Sequence, residues 1–175
     1  MVRTIRKAEA EDVPALLNFY EQVCKAQKLS PYSPSWHFGI YPDAEDLEMH
    51  VREGTFFLLL LEDCLAAAAV MTEGDDPIYA DATWPTTACA DKVCVLHLFA
   101  VHPDFRRKGL SSHMLEAMVD HAKAEGKRAL RLDVVTGNLP AERLYLRHDF
   151  RFVEERDVFY PDTGKISVRL FERVL

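Results

Sequence analysis

The stretch VHPDFRRKGLSSHM, Val101 to Met114, sets Arg106, Arg107 and Lys108 beside Gly109, where an apolar run gives way to a helical pattern. Adjacent cations at such a corner suit an anion. The first N–H groups of a helix lack internal partners and sit at the positive end of its dipole, which favours phosphate. Gly109 lets the backbone turn tightly and approach a ligand, because it has no Cβ. Ser111 or Ser112 would cap the helix or give a hydroxyl to a phosphate oxygen. A solvated charged loop with an ordinary glycine turn accounts for the spacing equally well. Neither G-x-x-x-x-G-K-[ST] nor G-x-G-x-x-G is present, which excludes the common nucleotide loops.

Two further groups could move protons. His97 lies in the apolar run KVCVLHLFAV, and an imidazole titrates near neutrality. In GNLPAERLYLRHDF, Asn138, Ala141 and Tyr145 fall at i, i+3 and i+7, one face of a helix. Standing alone, His97 also reads as a hydrogen-bonded strand histidine and Tyr145 as a half-buried helical tyrosine. Trp36, His37, Tyr41, Tyr79 and Trp84 lie in Pro-rich or polar segments. Such aromatics either pack loops onto a sheet or form a pocket for a cationic amine through cation–π contact.

The chain that must position these groups has 175 residues, 49% hydrophobic and 28% charged, as expected of one compact domain over residues 1–175. Its formal net charge of −7 argues against a non-specific nucleic-acid binder. Cys24, Cys64, Cys89 and Cys94 form no CxxC pair and no metal-ligand spacing with histidine. Reduced, mostly core cysteines of a cytoplasmic protein without a metal are expected. No apolar leader or membrane-length apolar run is seen, so no membrane association is expected.

The pattern predicts a strand at TIRKA and then a helix with Val13, Leu16, Leu17, Tyr20 and Cys24 on one stripe. A Pro- and Ser-rich loop leads to a short helix at AEDLEMHVREG. Strands TFFLLLLE and CLAAAAVMT form a hairpin across Glu62-Asp63. After a second long loop come the strand at 92–101, a helix bearing Met114, Leu115, Met118, Val119 and Ala122, and the strand RALRLDVV. The helix LPAERLYLRH and a closing hairpin around PDTG complete a mixed α/β order.

Taken in order, RRKGLS resembles the R/Q-x-x-G-x-G/A motif of the GNAT superfamily of acetyl-CoA-dependent N-acetyltransferases, with Ser111 where that motif prefers Gly or Ala. NLPAERLY followed by Asp149-Phe150 is similar to the superfamily's N-x-x-A-x-x-x-Y segment and terminal G-F, with Asp149 in place of glycine. The resemblance implies an α/β fold: a mixed, mostly antiparallel sheet of about seven strands with helices on both faces. It implies acetyl-CoA as acyl donor, no metal, and pantetheine bound by backbone around Phe99 and Val101. Arg106 through Ser112 would hold the pyrophosphate, and Asn138 and Ala141 would meet the cofactor arm.

Tyr145 would then be the acid for the departing thiolate. His97, preferred to His102, Glu142 and Asp133, would be the base, and Trp36, Tyr41 and Trp84 would line the acceptor pocket. A small-molecule primary amine is the expected partner. A protein or peptide N-acetyltransferase and a non-catalytic CoA-binding sensor are the alternatives. Homodimers are common in the superfamily, although no feature here specifies an interface.

Overall fold

The computed structural model describes residues 2–74, 76–79, 81–160 and 163–175. The elements are β1 (Arg3–Lys7), α1 (Val13–Gln27), α2 (Ala44–Arg52), β2 (Phe56–Leu61), β3 (Cys64–Glu73), β4 (Val93–Val101), α3 (Leu110–Ala124), β5 (Ala129–Val135), α4 (Leu139–Arg147), β6 (Arg151–Tyr160) and β7 (Gly164–Val174). Their order is the one expected from the sequence pattern. The seven strands form one sheet, β1-β2-β3-β4-β5-β7-β6. Every neighbouring pair is antiparallel except β4 and β5.

Local chemistry explains where the elements begin and turn. Pro14 opens α1 where its missing N–H costs nothing. Asp43 and Asp46 form a reciprocal capping box on α2. Glu62 and Asp63 both take positive φ (51° and 64°), as the tight β2–β3 hairpin requires. Between β6 and β7 the ladder runs to Tyr160 opposite Gly164; Pro161 and Asp162 of the expected PDTG tip lie outside the described residues.

Alternation along the central strands builds a core on each face. Cys94, Leu96, Leu130, Leu132 and Val134 pack with Met114, Leu115, Met118 and Val119 of α3. On the opposite face Ala68, Val70, Leu98 and Ala100 pack with Leu16, Phe19, Tyr20 and Leu47 of α1 and α2. Tyr79 joins Val95, Val168 and Leu170 in a third cluster. Cys24 and Cys94 are buried as expected, whereas Cys64 and Cys89 are exposed. No described helix is long and apolar enough to cross a membrane.

The feature that matters for function is a gap in the middle of the sheet. β4 and β5 pair only through Val93, Cys94 and Val95. Opposite β3, the register of β4 slips between Ala68 and Val70, leaving an extra residue in β4. Leu98 there has φ 48°, a region costing an ordinary residue about 1–2 kcal/mol. The buried Tyr20 hydroxyl of α1 donates to the Leu98 carbonyl oxygen at 2.5 Å. A bulge bends its strand and sharpens the local twist, and here it carries β4 away from β5.

Candidate active site

A cleft of about 1190 Å³ occupies this gap. It is lined by Phe99, Val101, Val134 and Tyr145 from the α3–α4 face and by His97, Leu98, Ala100 and Asp133 from the other. The two sets of residues point to opposite sides of the sheet, so the cleft connects the faces.

At one end lies the cationic turn. Arg107 and Gly109 both take left-handed backbone, φ 62° and 71°, a turn that aims successive N–H groups into one concavity. Gly109 is the N-cap of α3 and supplies no side-chain acceptor. The first-turn donors therefore face outward for a ligand. A Cβ on Gly109 would meet no protein atom within 4 Å, so glycine is required for conformation rather than protein packing.

Arg106, Arg107, Gly109, Leu110, Ser111 and Ser112 all line the cleft. Three of the expected contacts are placed differently. Leu110 buries its side chain in the core at 1% exposure, leaving only its backbone for a ligand. Lys108 does not line the cleft; its ammonium lies 4.9 Å from the Phe105 ring centroid. The Ser112 hydroxyl bonds His148 Nε2 at 2.9 Å, and Glu116 holds His148 Nδ1 at 2.5 Å.

On the same face α4 brings Asn138, Ala141 and Tyr145 to the cleft. Asn138 is the N-cap rather than a helical residue, and its Oδ1 accepts from the Ala141 N–H at 3.4 Å. Tyr145 is 6% exposed. Its ring stands edge-on to Phe99 and Phe150, centroids 6.3 and 5.5 Å away. Burial, with the nearby Asp133 charge, pushes the Tyr145 phenol well above its ordinary range, so it stays protonated.

The other end is acidic and aromatic. Asp43, Asp46, Asp76 and Asp133 line it together with Trp36 and Tyr41. Trp36 packs 6.1 Å from the Tyr20 ring. Trp84 does not belong to the cleft: it stacks 4.2 Å from the Arg131 guanidinium, and its indole meets Tyr79 edge-on. Arg131 is itself paired with Glu172 at 2.9 Å, and that buried pair fixes the loop through the Thr86 backbone. Trp84 thus braces the back of the sheet.

His97 Nε2 lies 4.0 Å from Asp76 Oδ2. Burial lowers the His97 pKa, although Asp76 opposes the shift; the neutral imidazole can accept a proton. Asp133, ranked below His97 on sequence grounds, stands on the same face of the sheet. Tyr79 donates to its Oδ1 at 2.8 Å. Burial pushes its carboxyl up to about 6, with Asp76 adding to the rise and Tyr79 opposing it. The available signal was the alternation in RALRLDVV, which puts a carboxylate on an otherwise apolar central strand.

The cleft fits a coenzyme A thioester: uncapped N–H groups and two arginines at one end, then a narrow passage between unpaired strand edges. Comparison with known proteins agrees. The sequence pattern of the Acetyltransferase (GNAT) family matches residues 15–150. The chain is 36% identical over 64 residues to the [Ribosomal protein bS18]-alanine N-acetyltransferase of Escherichia coli strain K12, a match covering 37% of this chain and 43% of that protein.

The chain therefore spans less than half the length of that curated relative. A GNAT-family acetyltransferase from Streptococcus pneumoniae has the same fold, with TM-score 0.73 and 22% identity over 99% of this chain and 100% of that one. The protein yncA of Salmonella typhimurium, solved with its cofactor acetyl-CoA, superposes with TM-score 0.72 and 15% identity over 100% and 95% of the two chains. Fold, cleft and sequence pattern agree: the chain belongs to the acetyltransferase (GNAT) family.

Proposed function

We propose that this protein transfers the acetyl group of acetyl-CoA to a primary amine of a small molecule by direct attack on the thioester. The carrying observation is the single cleft running from the Arg106–Ser112 turn on one face to His97 and Asp133 on the other. Donor and acceptor therefore meet between β4 and β5.

Arg106, Arg107 and the N–H groups from Leu110 to Ser112 hold the pyrophosphate. The β4 edge at Phe99 and Val101 binds the pantetheine amides in place of the missing β5 ladder, and a backbone N–H there polarises the thioester carbonyl. Asn138 and Ala141 border the arm. At the far end Trp36 and Tyr41 contact the amine substituent. A primary amine with a pKa of about 10 arrives as ammonium and must lose protons to attack. Neutral His97 accepts one of them, and Tyr145 gives a proton to the departing sulfur.

Three chain segments enclose the acceptor end: Ser30–Tyr41, Asp76 with Ile78, and Thr163 with Ile166. That enclosure favours a compact amine over an extended peptide. The partial match to the E. coli ribosomal-protein enzyme supports a second reading, in which the amine is the N-terminus of a protein.

Thiol release from acetyl-CoA, measured across small amines and Ala-initiated peptides, tests both readings. Release with compact amines alone supports the first, and release with peptides alone supports the second. Binding of acetyl-CoA without turnover over the whole panel would reduce the protein to a sensor. Tyr145→Phe should lower kcat about 10²-fold at little change in donor KM. An unchanged kcat would remove Tyr145 from proton transfer.

A further inference from the structure

We propose that Asp133 is a second proton acceptor in acetyl transfer, taking from the acceptor ammonium the first of the two protons it must lose, with His97 taking the other. The inference rests on the reading of the cleft as an N-acetyltransferase site. Converting an ammonium into a secondary amide removes two N–H protons, and a single neutral imidazole takes only one. The other goes either directly to water or to a second group on the acceptor side, and Asp133 lines the cleft there beside His97 and Asp76.

Its placement follows from strand alternation. Arg131, Asp133 and Val135 share one face of β5, opposite to Leu130, Leu132 and Val134, which pack toward α3. β4 and β5 part beyond Val95, so Asp133 faces the cleft and lines it together with His97 and Asp76. Tyr79 donates to Oδ1 at 2.8 Å, which orients the carboxylate toward the cleft it lines.

Among the described residues no ion pair involves Asp133. An incoming ammonium therefore does not compete with a resident cation. The groups acting on the carboxyl by charge or hydrogen bond are Tyr79 and Asp76 of the 76–79 segment and the backbone N–H of Asp133 itself, and it in turn acts on Tyr145 of α4. His97 of β4 joins them through Asp76. Burial, with the charge of Asp76 adding to it, raises the Asp133 carboxyl and makes it a competent base near neutral pH.

The atoms balance as follows. An N–H proton passes from the ammonium to the Asp133 carboxylate. The freed lone pair forms the N–C bond at the thioester carbonyl, and His97 takes the second N–H proton. The C–S bond breaks, and its electron pair leaves on sulfur. Tyr145 gives that sulfur its hydroxyl proton and regains one from His97. Asp133 returns its proton to water, so one proton is released per amide formed.

Both bases must be unprotonated in the free enzyme. With an amine that is turned over, kcat/KM of the wild type should therefore fall on the acid side with a slope that reaches a limit of two once both bases are protonated. Asp133→Asn keeps a group able to accept the Tyr79 bond. It should lower kcat about 10²-fold, leave acetyl-CoA affinity within about twofold by calorimetry, and reduce the limiting slope to one. Tyr79→Phe removes the bond that lowers the Asp133 pKa and should move the acid limb to higher pH; an unmoved limb overturns the proposal.

A wild-type slope of one, or a slope of two surviving in Asp133→Asn, overturns it as well. Carbon-13 NMR of the Asp133 carboxyl in the free protein should titrate near 6, whatever the acceptor. A midpoint at the ordinary carboxylate value of 3.8 overturns the assignment. Absence of thiol release from the wild type with every amine defeats the N-acetyltransferase reading itself and this inference with it. Release without the expected slopes defeats the inference alone.

Discussion

Tyr20→Phe isolates the contact that pins the bulge in β4. The hydroxyl is fully buried and donates to the Leu98 carbonyl at 2.5 Å. Removing it deletes one hydrogen bond and leaves a buried acceptor unsatisfied, a loss of about 1–3 kcal/mol. For a chain of this size that lowers Tm by about 2–12 °C, at roughly 2–4 °C per kcal/mol. Leu98 already holds a left-handed backbone at φ 48°, which disfavours the bulge by about 1–2 kcal/mol.

Loss of the bond at that site releases β4 toward regular pairing and narrows the gap entered by the donor. Should 1–2 kcal/mol of the loss fall on the splayed arrangement, the competent population drops about 5- to 30-fold, and donor KM rises by up to that factor. Burial holds the Tyr20 phenol well above its ordinary range, so the effect should be the same at pH 6 and pH 9. The assay is donor KM at saturating acceptor alongside thermal unfolding. A lowered Tm with unchanged donor KM would refute the reasoning, because the bulge would then be set by packing alone.

Gly109→Ala places a Cβ in open space but forces alanine to φ 71°, a cost of about 1–2 kcal/mol. Tm should fall by roughly 2–8 °C and donor affinity should weaken; an unaltered Tm would show that the turn relaxes without strain. Glu172→Ala removes the carboxylate paired with a guanidinium that is 2% exposed, which costs about 3–5 kcal/mol. A Tm fall of roughly 6–20 °C is expected, and a loss below 1 kcal/mol in chemical denaturation would show that water rescues Arg131. Asp133→Asn should stabilise the fold at high pH. The folded carboxyl titrates near 6 rather than 3.8, so folding favours its protonated form. The penalty is absent below about pH 4, grows between pH 4 and 6, and is complete above, reaching at most about 3 kcal/mol. The variant should therefore gain Tm at pH 8 and gain little at pH 4, and an equal gain at both would refute the charge argument.

What was legible in the sequence is what short-range pattern dictates. Helical spacing at Leu16 and Tyr20, and again from Met114 to Val119, fixed which faces are buried. Glu62-Asp63 marked the hairpin. The cations before Gly109 and the Asn138-to-Tyr145 spacing located the donor end, because each is a local run. Residues that act through distant partners were less legible. Trp84 and Tyr79 occupy the same loop and look alike in sequence, yet one stacks on Arg131 while the other donates to Asp133. Ser112 is turned toward His148, which follows it by thirty-six residues. Asp76 lies 4.0 Å from His97, twenty-one residues on in the chain, beside the buried Tyr79.

The rules that fail locally fail at one place. Leucine in a left-handed strand position, a parallel ladder that stops after three pairs, and an aspartate that pairs with no cation among the described residues all border the same gap. Each departs from what folding alone would select: a closed ladder would satisfy more backbone, and asparagine at 133 would remove a buried charge. Such departures mark sites where stability is given up for chemistry. If the gap serves a thioester and an amine, repairing any one departure should make the protein more stable and less active. If it serves only as a binding niche, removing the Asp133 charge should stabilise the chain and leave donor affinity intact, with no turnover to lose. A kcat that falls as Tm rises across such repairs therefore marks an enzyme, whereas a sensor shows the gain in Tm with no turnover in any variant.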